Sequence, residues 1–281
     1  MAKAASQLAH TLSLLRSILV LNNLIYLYTV VLGSLSLLSS LFDSSGRTQH
    51  WFARTWSWLI LKTAMCPVTV TGLDRIDTGK PHMYALNHLS ALDIPVVYVY
   101  LPFQFRIVAK EELFHYPFMG WHLRRSGQVS INRANALASM RSLNRAAESL
   151  KGGMPLVVFP EGGRSKSGQT LPFLSGVFYV AIKAQVDVVP AALVGTREAL
   201  PMDTFHLQPR PMELVVGDPI PTIGLTPRDM DALAARVQKA VEDLYYARAE
   251  VADPRRAPAE NLRAVALTAP EEASTAKTPA D

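Results

Sequence analysis

A histidine and an aspartate five positions apart are the residues with the clearest capacity for chemistry. His88 and Asp93 lie in the stretch Asn-His-Leu-Ser-Ala-Leu-Asp, between apolar runs at 83–86 and 94–100. Five positions correspond to a rotation of about 140° on an uninterrupted helix, and to opposite faces on a straight strand. The two side chains can therefore meet only where the chain turns, most simply where a strand passes through a loop into a helix.

A contact between these two side chains would prepare the histidine for proton transfer. The carboxylate of Asp93 would hold one ring nitrogen of His88, leave the other free as a general base, and stabilise the imidazolium that forms. The structural alternative is that His88 caps a helix and Asp93 occupies its first turn, where the helix dipole favours negative charge. The pair alone leaves both interpretations open.

A second motif, Phe-Pro-Glu-Gly-Gly-Arg-Ser at 159–165, follows a short apolar run. Gly162 and Gly163 would let backbone amides approach a ligand closely, and the planar guanidinium of Arg164 suits phosphate oxygens. Glu161 beside a phosphate would be costly unless it orients the arginine or accepts a hydroxyl proton. Taken alone, the three residues that begin at Glu161 predict a turn.

The elements that position these motifs alternate between strand and helix from residue 67 onward. Short, continuously apolar runs are typical of buried parallel strands, and Thr226 followed by Pro227 predicts the start of a late amphipathic helix. The pattern therefore predicts an α/β fold with a largely parallel central sheet flanked by helices. The predicted strands are 68–71, 83–86, 104–109, 128–131, 155–159, 186–194 and 212–216, and the main predicted helices end near 101, 125, 151, 185 and 244.

An N-terminal segment at 1–66 is predicted to form a helical membrane anchor. Residues 17–42 carry no charged side chain, and as a helix they would extend about 39 Å, enough to cross the ~30 Å apolar core of a bilayer. Three tryptophans between residues 51 and 58 are interleaved with Arg54 and Lys62, which is typical of a membrane interface. Positive charges flank the apolar run on both sides, so one spanning helix and a partly buried two-helix anchor both remain open.

Composition limits the partners and the compartment. Among 281 residues, 49% are hydrophobic and the net charge is +5, a balance that suits anionic partners such as phosphorylated metabolites, nucleic acid or anionic membrane. The single cysteine, Cys66, excludes an intramolecular disulfide and a cysteine-rich zinc site. We divide the chain into the anchor at 1–66, an α/β domain at 67–250 and a tail at 251–281, whose composition predicts disorder.

Together the motifs resemble those of the glycerolipid acyltransferases, in particular the 1-acylglycerol-3-phosphate (lysophosphatidic acid) acyltransferases. The first family motif, Asn-His followed by four residues and Asp, is matched at 87–93, and the third at 159–165, where Gly163 replaces the usual Thr. The second motif begins at a lysine and runs through Pro and Gly to an arginine, and the fourth is a proline in an apolar strand. Lys110, Pro117, Gly120, Gly127 and Arg133 match the second motif, and Val189 and Pro190 match the fourth.

The resemblance, which covers about 68–221, implies a membrane-bound O-acyltransferase. It would move a fatty acyl group from acyl-CoA or acyl carrier protein to the sn-2 hydroxyl of 1-acylglycerol-3-phosphate, at the cytoplasmic face of an inner membrane. His88 would be the general base, Asp93 would orient it, and Lys110 would lie near the developing oxyanion. The thioester is a co-substrate, and the resemblance implies neither a cofactor nor a metal. The residues that would bind the acceptor phosphate are Arg133, Glu161, Gly162 and Arg164.

Four alternatives remain at this point. The same chemistry could act on another lysophospholipid, a lyso-aminolipid or glycerol-3-phosphate. A non-catalytic membrane lipid-binding protein is the alternative from a different class, but it would need neither His88 nor Asp93. A metal hydrolase using His82, His88 and Asp93 would lack the helical His-Glu pair of common zinc sites. Nucleic-acid binding is disfavoured because the positive charge is dispersed and the aromatic residues cluster in the N-terminal segment.

Overall fold

The computed structural model describes residues 2–132 and 134–256, and a seven-stranded sheet lies at its centre. The strand order is β1-β7-β6-β2-β5-β3-β4, and all neighbouring strands are parallel except the antiparallel pair of β6 and β7. This arrangement confirms the predicted α/β fold with a largely parallel sheet. The strands are β1 Val68–Thr71, β2 Met83–Leu86, β3 Arg106–Lys110, β4 Val129–Ile131, β5 Leu156–Val158, β6 Val188–Val194 and β7 Met212–Val216.

Helices cover both faces of this sheet and precede it. Successive residues of a strand point to opposite faces, so Val157 contributes to one apolar core and Leu156 and Val158 to the other. The first core packs against α3 and α4, and the second packs against α6, α7 and α9. The helices are α1 Ala2–Arg16, α2 Asn22–Ser39, α3 Arg47–Ala64, α4 Asp93–Tyr100, α5 Met119–Arg125, α6 Ala136–Lys151, α7 Tyr179–Ala184, α8 Thr196–Ala199 and α9 Met230–Tyr246.

Local turn residues explain where the last helix begins and where an earlier one is divided. The predicted start of the last helix is confirmed, because Thr226 and Asp229 form a reciprocal capping box with Pro227 at the first position. The sequence predicts a helix from Glu111 to Arg125 that Pro117 and Gly120 break, and the structure divides it into a 3-10 turn at Glu111–His115 and α5. Its second half packs so closely that a Cβ at Gly120 would lie 2.2 Å from the Phe114 carbonyl oxygen.

The N-terminal segment consists of one long helix and a second, separate helix that returns along it. A π-helical turn at Ser17–Leu21 joins α1 to α2, and within it the stretch Gln7–Ser39 is long and apolar enough to cross a membrane. Helix α3 returns along α2, where the Trp56 indole donates a hydrogen bond to Thr29 Oγ1 at 2.9 Å. Only 6% of the most apolar window of this stretch is buried, so its apolar side chains are largely exposed.

The C-terminal end of the described chain is attached to α9. Arg255 forms ion pairs of 2.8 Å with Asp243 and with Asp253, and Pro254–Arg256 form a 3-10 turn. The tail predicted at 251–281 therefore begins in described residues, whereas 257–281 lie outside them. The predicted domain boundaries stay predictions.

Candidate active site

His88 and Asp93 meet where β2 gives way to α4. His88 Nδ1 lies 2.7 Å from Asp93 Oδ2, and the backbone amides of Leu89 and Ser90 donate to the same oxygen at 2.8 and 2.9 Å. The chain turns between the two residues as their spacing requires, and Asp93 occupies the first position of α4. It is thus both the partner of the histidine and the acid favoured by the helix dipole.

This hydrogen-bond pattern fixes the protonation of the imidazole. A carboxylate only accepts hydrogen bonds, so Nδ1 of His88 carries the proton that Asp93 Oδ2 accepts, and Nε2 is left as the basic nitrogen. The Asp93 side chain is fully buried, whereas the His88 side chain is 20% exposed. A buried carboxylate that orients a partly exposed imidazole is the arrangement expected of a general base.

The second motif is attached to His88 on both sides of its backbone. Glu161 Oε1 accepts a hydrogen bond from the His88 amide at 2.9 Å, and Oε2 accepts one from the Leu171 amide at 3.1 Å. In return, the Ser165 amide donates to the His88 carbonyl at 3.0 Å. The loop after β5 therefore fixes the loop after β2, and the ring of Phe159 lies against the His88 imidazole with centroids 4.4 Å apart.

Glu161 faces this backbone network, with each oxygen bonded to an amide. The sequence placed Glu161 among residues that bind the acceptor phosphate, but the described lining of the cavity includes Gly162, Gly163 and Arg164 and not Glu161. Burial raises the pKa of its carboxyl to about 8, although the two amide donors act in the opposite direction. We therefore assign Glu161 to positioning of the two loops.

A cavity of about 910 Å³ opens beside the His88 ring. It lies at the carboxyl ends of β3, β4 and β5, where parallel α/β sheets build their sites, and it brings together four of the predicted residues: His88, Lys110, Gly162 and Arg164. Arg133 lies outside the described residues. Apolar side chains form much of the remaining wall, among them Ile94, Leu143, Phe159, Leu174, Val177 and Met202. The cavity thus combines cationic groups with a surface suited to hydrocarbon.

Two further residues hold the His88 loop in place. Asn87 is fully buried and bonds both the amide and the carbonyl of Leu193 on β6, at 2.8 and 2.9 Å. Ser90 Oγ donates to the Leu200 carbonyl at 2.8 Å. Asn87 belongs to the recognised motif, but no pattern in the sequence indicates the role of Ser90.

The metal-hydrolase alternative requires His82 to bind a metal together with His88 and Asp93. His82 is buried, and its ring contacts the ring of Tyr84 at the start of β2. Within 2–132 and 134–256, no group of three or more His, Cys, Asp and Glu side chains is placed to hold a metal ion.

Comparison with known proteins connects this geometry to named relatives. Residues 67–194 match the protein-family model described as Acyltransferase. A 1-acyl-sn-glycerol-3-phosphate acyltransferase of Chlamydomonas reinhardtii is 33% identical over 183 residues, which are 64% of this chain and 54% of the relative. The human 1-acyl-sn-glycerol-3-phosphate acyltransferase alpha is 30% identical over 179 residues, 63% of each chain. The chain spans about half the length of the first of these curated relatives.

A solved structure shares most of the fold. The crystal structure of the 1-acyl-sn-glycerophosphate (LPA) acyltransferase PlsC from Thermotoga maritima matches with a TM-score of 0.67 and 25% identity, over 85% of this chain and 97% of that one. The family-model match at 67–194 contains His88, Asp93 and the 159–165 motif. Residues 67–194 therefore match the acyltransferase family model, and most of the chain is similar in fold to the Thermotoga maritima enzyme.

Proposed function

We propose that the protein transfers a fatty acyl group from acyl-CoA or acyl carrier protein to the sn-2 hydroxyl of 1-acylglycerol-3-phosphate, forming phosphatidic acid. The observation that carries the proposal is the His88–Asp93 pair, 2.7 Å apart, at a cavity that also contains Lys110 and Arg164. The names of the curated relatives and of the Thermotoga maritima enzyme support this acceptor.

In this mechanism the imidazole of His88 moves one proton twice. Nε2 takes the proton of the acceptor hydroxyl as its oxygen attacks the thioester carbon, and the buried Asp93 carboxylate stabilises the imidazolium. The carbon–sulfur bond then breaks, and the imidazolium returns the proton to the departing thiolate. The family resemblance assigns Lys110 to the developing oxyanion, and no acyl-enzyme is required.

The cavity offers separate surfaces for the two ends of a lysophospholipid. Arg164, together with the resemblance-assigned Arg133, would bind the phosphate through charge-assisted hydrogen bonds. Gly162 has a φ of +68°, and without a side chain it leaves room for a close backbone approach. The apolar wall would receive an acyl chain, whose burial contributes about 0.8 kcal/mol per methylene. No bound metal or cofactor is part of the proposal.

A membrane location fits the lipid substrates. The long N-terminal helix contacts the α/β domain near its middle and near its C-terminal end: Ser17 Oγ donates to the Leu207 carbonyl at 3.0 Å, and Ser36 Oγ lies 2.8 Å from His122 Nδ1. These residues are separated by about 28 Å along the axis at 1.5 Å per residue. A helix held to one domain over this length supports an anchor that lies in one leaflet. The family resemblance places this anchor at the cytoplasmic face of an inner membrane, and we include that location in the proposal.

The proposal is tested by offering both thioester donors and a panel of lyso-lipids to His88→Ala in membranes. We expect phosphatidic acid as the product of the wild type by mass spectrometry, and a loss of about 10²–10⁴-fold in turnover in the variant, the usual contribution of a general base. His10→Ala removes an exposed histidine outside the cavity and serves as the matched control. Near wild-type turnover of His88→Ala would overturn the assignment.

A further inference from the structure

A second cavity, which we call the arginine groove, lies beside the cavity that contains His88, which we call the catalytic cavity. It has a volume of about 550 Å³, contains Arg106, Arg124 and Arg145, and shares no lining residue with the catalytic cavity among the described residues. Both cavities run between α6 and strands β3 to β5. The catalytic cavity contacts the carboxyl ends of these strands, and the groove contacts their first residues.

Among residues 2–132 and 134–256, the three guanidinium groups bond only neutral oxygens. Arg124 donates to the Phe114 carbonyl at 2.6 Å, and Arg145 donates to Ser142 Oγ at 3.1 Å. None of the three arginines forms an ion pair within the described part of the chain. Each guanidinium has five donors, so Arg124 and Arg145 retain donors for a ligand.

Arg106 differs from the other two because it also supports the fold. Its guanidinium donates to the Ser45 carbonyl at 3.1 Å and to the Ser126 carbonyl. Burial lowers its pKa, yet an arginine stays charged in proteins. One acid, Glu111, also lines the groove, which leaves cationic groups in excess. Arg124 and Arg145 are exposed at the groove, so an anion from solution can reach both guanidinium groups, and charge-assisted hydrogen bonds would hold it there.

The position of the groove selects one phosphate among those the reaction involves. In lysophosphatidate, phosphate and reacting hydroxyl are on the same glycerol, so that phosphate must bind inside the catalytic cavity near Arg164. A thioester donor instead carries a phosphate at the far end of its pantetheine arm. On α6, Leu143 lines the catalytic cavity and the adjacent Ser142 lines the groove. The outermost α6 residues in the two cavities, Ala136 and Ser149, are about 20 Å apart along the helix, an extent that a long, flexible arm can span.

We propose that the arginine groove binds the phosphate of the phosphopantetheine arm, the group that acyl-CoA and acyl carrier protein have in common. Arg124 and Arg145 bind its oxygens, and the arm follows α6 to the thioester beside His88. The inference rests on the proposed acyl transfer, because it names the donor end of the same reaction. It makes Arg124 and Arg145 donor-binding residues that the sequence motifs do not indicate.

The test replaces Arg124 and Arg145, each of which donates one hydrogen bond among the described residues, and keeps Arg106, which bonds two backbone carbonyls. Arg124→Gln, Arg145→Gln and the double variant are compared with Arg236→Gln, which removes an exposed charge on α9 outside both cavities. We expect the KM for acyl-CoA and for acyl carrier protein thioester to rise about tenfold in each single variant, because charged hydrogen bonds contribute at this scale. The KM for lysophosphatidate should stay at the wild-type value, whereas Arg164→Ala should raise it.

Acyl-pantetheine, a donor without the phosphate, isolates the contact. The groove variants and the wild type should use it with the same KM. Unchanged KM for both full donors would overturn the proposal, and so would an effect confined to acyl-CoA, which would indicate its nucleotide instead of the shared phosphate. A raised KM for lysophosphatidate, or a loss of binding to vesicles of anionic phospholipid, would assign the groove to a lipid head group and also overturn it.

A binding measurement separates this inference from the proposed function. Coenzyme A and pantetheine are titrated calorimetrically into His88→Ala and into His88→Ala combined with Arg145→Gln. We expect the second protein to bind coenzyme A about tenfold more weakly and pantetheine equally. Equal affinity for coenzyme A would exclude the groove site even if acyl transfer is confirmed. Near wild-type turnover of His88→Ala would instead overturn the catalytic assignment, and the comparison of coenzyme A affinities would still decide whether the groove binds the donor phosphate.

Discussion

At the scale of single residues, two buried acids position one imidazole in different ways. Asp93 contacts the His88 ring and determines which nitrogen is basic. Glu161 contacts the His88 backbone and determines where the ring lies relative to the Arg164 loop. The first is a partner of the reacting group, and the second is a positioning residue that acts through the chain.

The buried Glu161 carboxyl predicts a specific dependence of stability on pH. Its pKa rises from 4.5 in the unfolded chain to about 8 in the folded protein, so between these values the folded state binds more protons. Stability from this group is therefore fully present below about pH 4.5 and is lost as pH rises to about 8, at up to ~1.4 kcal/mol per unit of pKa shift. Glu161→Gln removes the titration, so its free energy of unfolding should fall less between pH 5 and 8.

Denaturant unfolding in detergent at the two pH values measures this difference. Glu250→Gln, at an exposed position, is the matched control and should follow the wild type. Parallel pH dependence in the wild type and Glu161→Gln would show that the amide donors from His88 and Leu171 cancel the effect of burial.

The sequence alone predicts the role of Asp93 but not the backbone contacts of Glu161. Asp93 could be paired with His88 because five positions separate them and only a turn lets them meet. Glu161 is 73 positions from His88, and its bonds depend on β2 and β5 being neighbours in the sheet. No local pattern specifies that neighbour, so the motif indicated a ligand contact where the structure has a backbone one.

At the scale of elements, continuously apolar runs predict the strands, but the pairing of those strands in the sheet determines which residues meet at the site. The β6 strand could be predicted because its residues are continuously apolar, and in the structure every one of them is buried. Its antiparallel pairing with β7 was not recognisable, since a strand's direction in the sheet depends on the path of the chain through distant loops. The sequence could likewise place Lys110 at a strand end without showing that the start of the same strand contributes Arg106 to a second cavity.

The loop after β5 contains two adjacent glycines with different requirements. Gly162 has a φ of +68°, a left-handed conformation that costs a residue with a side chain about 1–2 kcal/mol. Gly163 has no positive φ, and a Cβ there would meet no atom within 4 Å. Gly162→Ala should therefore lower the free energy of unfolding by about 1–2 kcal/mol, whereas Gly163→Ala, and Gly163→Thr with the residue usual in the resembling family, should leave it near the wild-type value.

Thermal unfolding of the three variants provides the measurement, with Gly163→Ala as the matched control for Gly162→Ala. Equal destabilisation at both positions would contradict the account, because it would mean that the space beside Gly163 is needed and not merely present.

At the scale of the whole molecule, the exposed apolar surface of the N-terminal helix lies next to the candidate active site. Leu19, Leu41 and Phe42 are 66%, 66% and 90% exposed along the N-terminal helix and its turn, an arrangement that water alone would penalise. The loop that contains Met202 in the cavity wall continues to Phe205, whose carbonyl accepts a hydrogen bond from Asn22 at 2.8 Å. The N-terminal helix therefore packs directly beside the cavity that contains His88.

This packing leads us to propose the one-leaflet anchor over the spanning helix, the two arrangements that the sequence leaves open. If the helix lies in one leaflet, both of its ends stay on the side of the catalytic domain, whereas a spanning helix sends one end across. Cys66 is the single cysteine and is buried, so a Cys66→Ser background allows Gln7→Cys and Ser44→Cys to be introduced one at a time at exposed positions. Protein bound to the outside of sealed liposomes is then treated with a membrane-impermeant maleimide.

We expect external labelling at both positions, because each lies close in sequence to a contact with the domain. Ser13 Oγ in α1 lies 3.0 Å from His206 Nε2, and the carbonyl of Ser45, in the loop after α2, accepts a hydrogen bond from Arg106. Ile223→Cys, on the domain and 79% exposed, is the control for full labelling, and Leu27→Cys should be shielded by lipid in either arrangement. Labelling of one helix end only after detergent opens the liposomes would mean that the helix crosses the bilayer, and the contacts of α1 and α2 with the domain would then have to break on membrane binding.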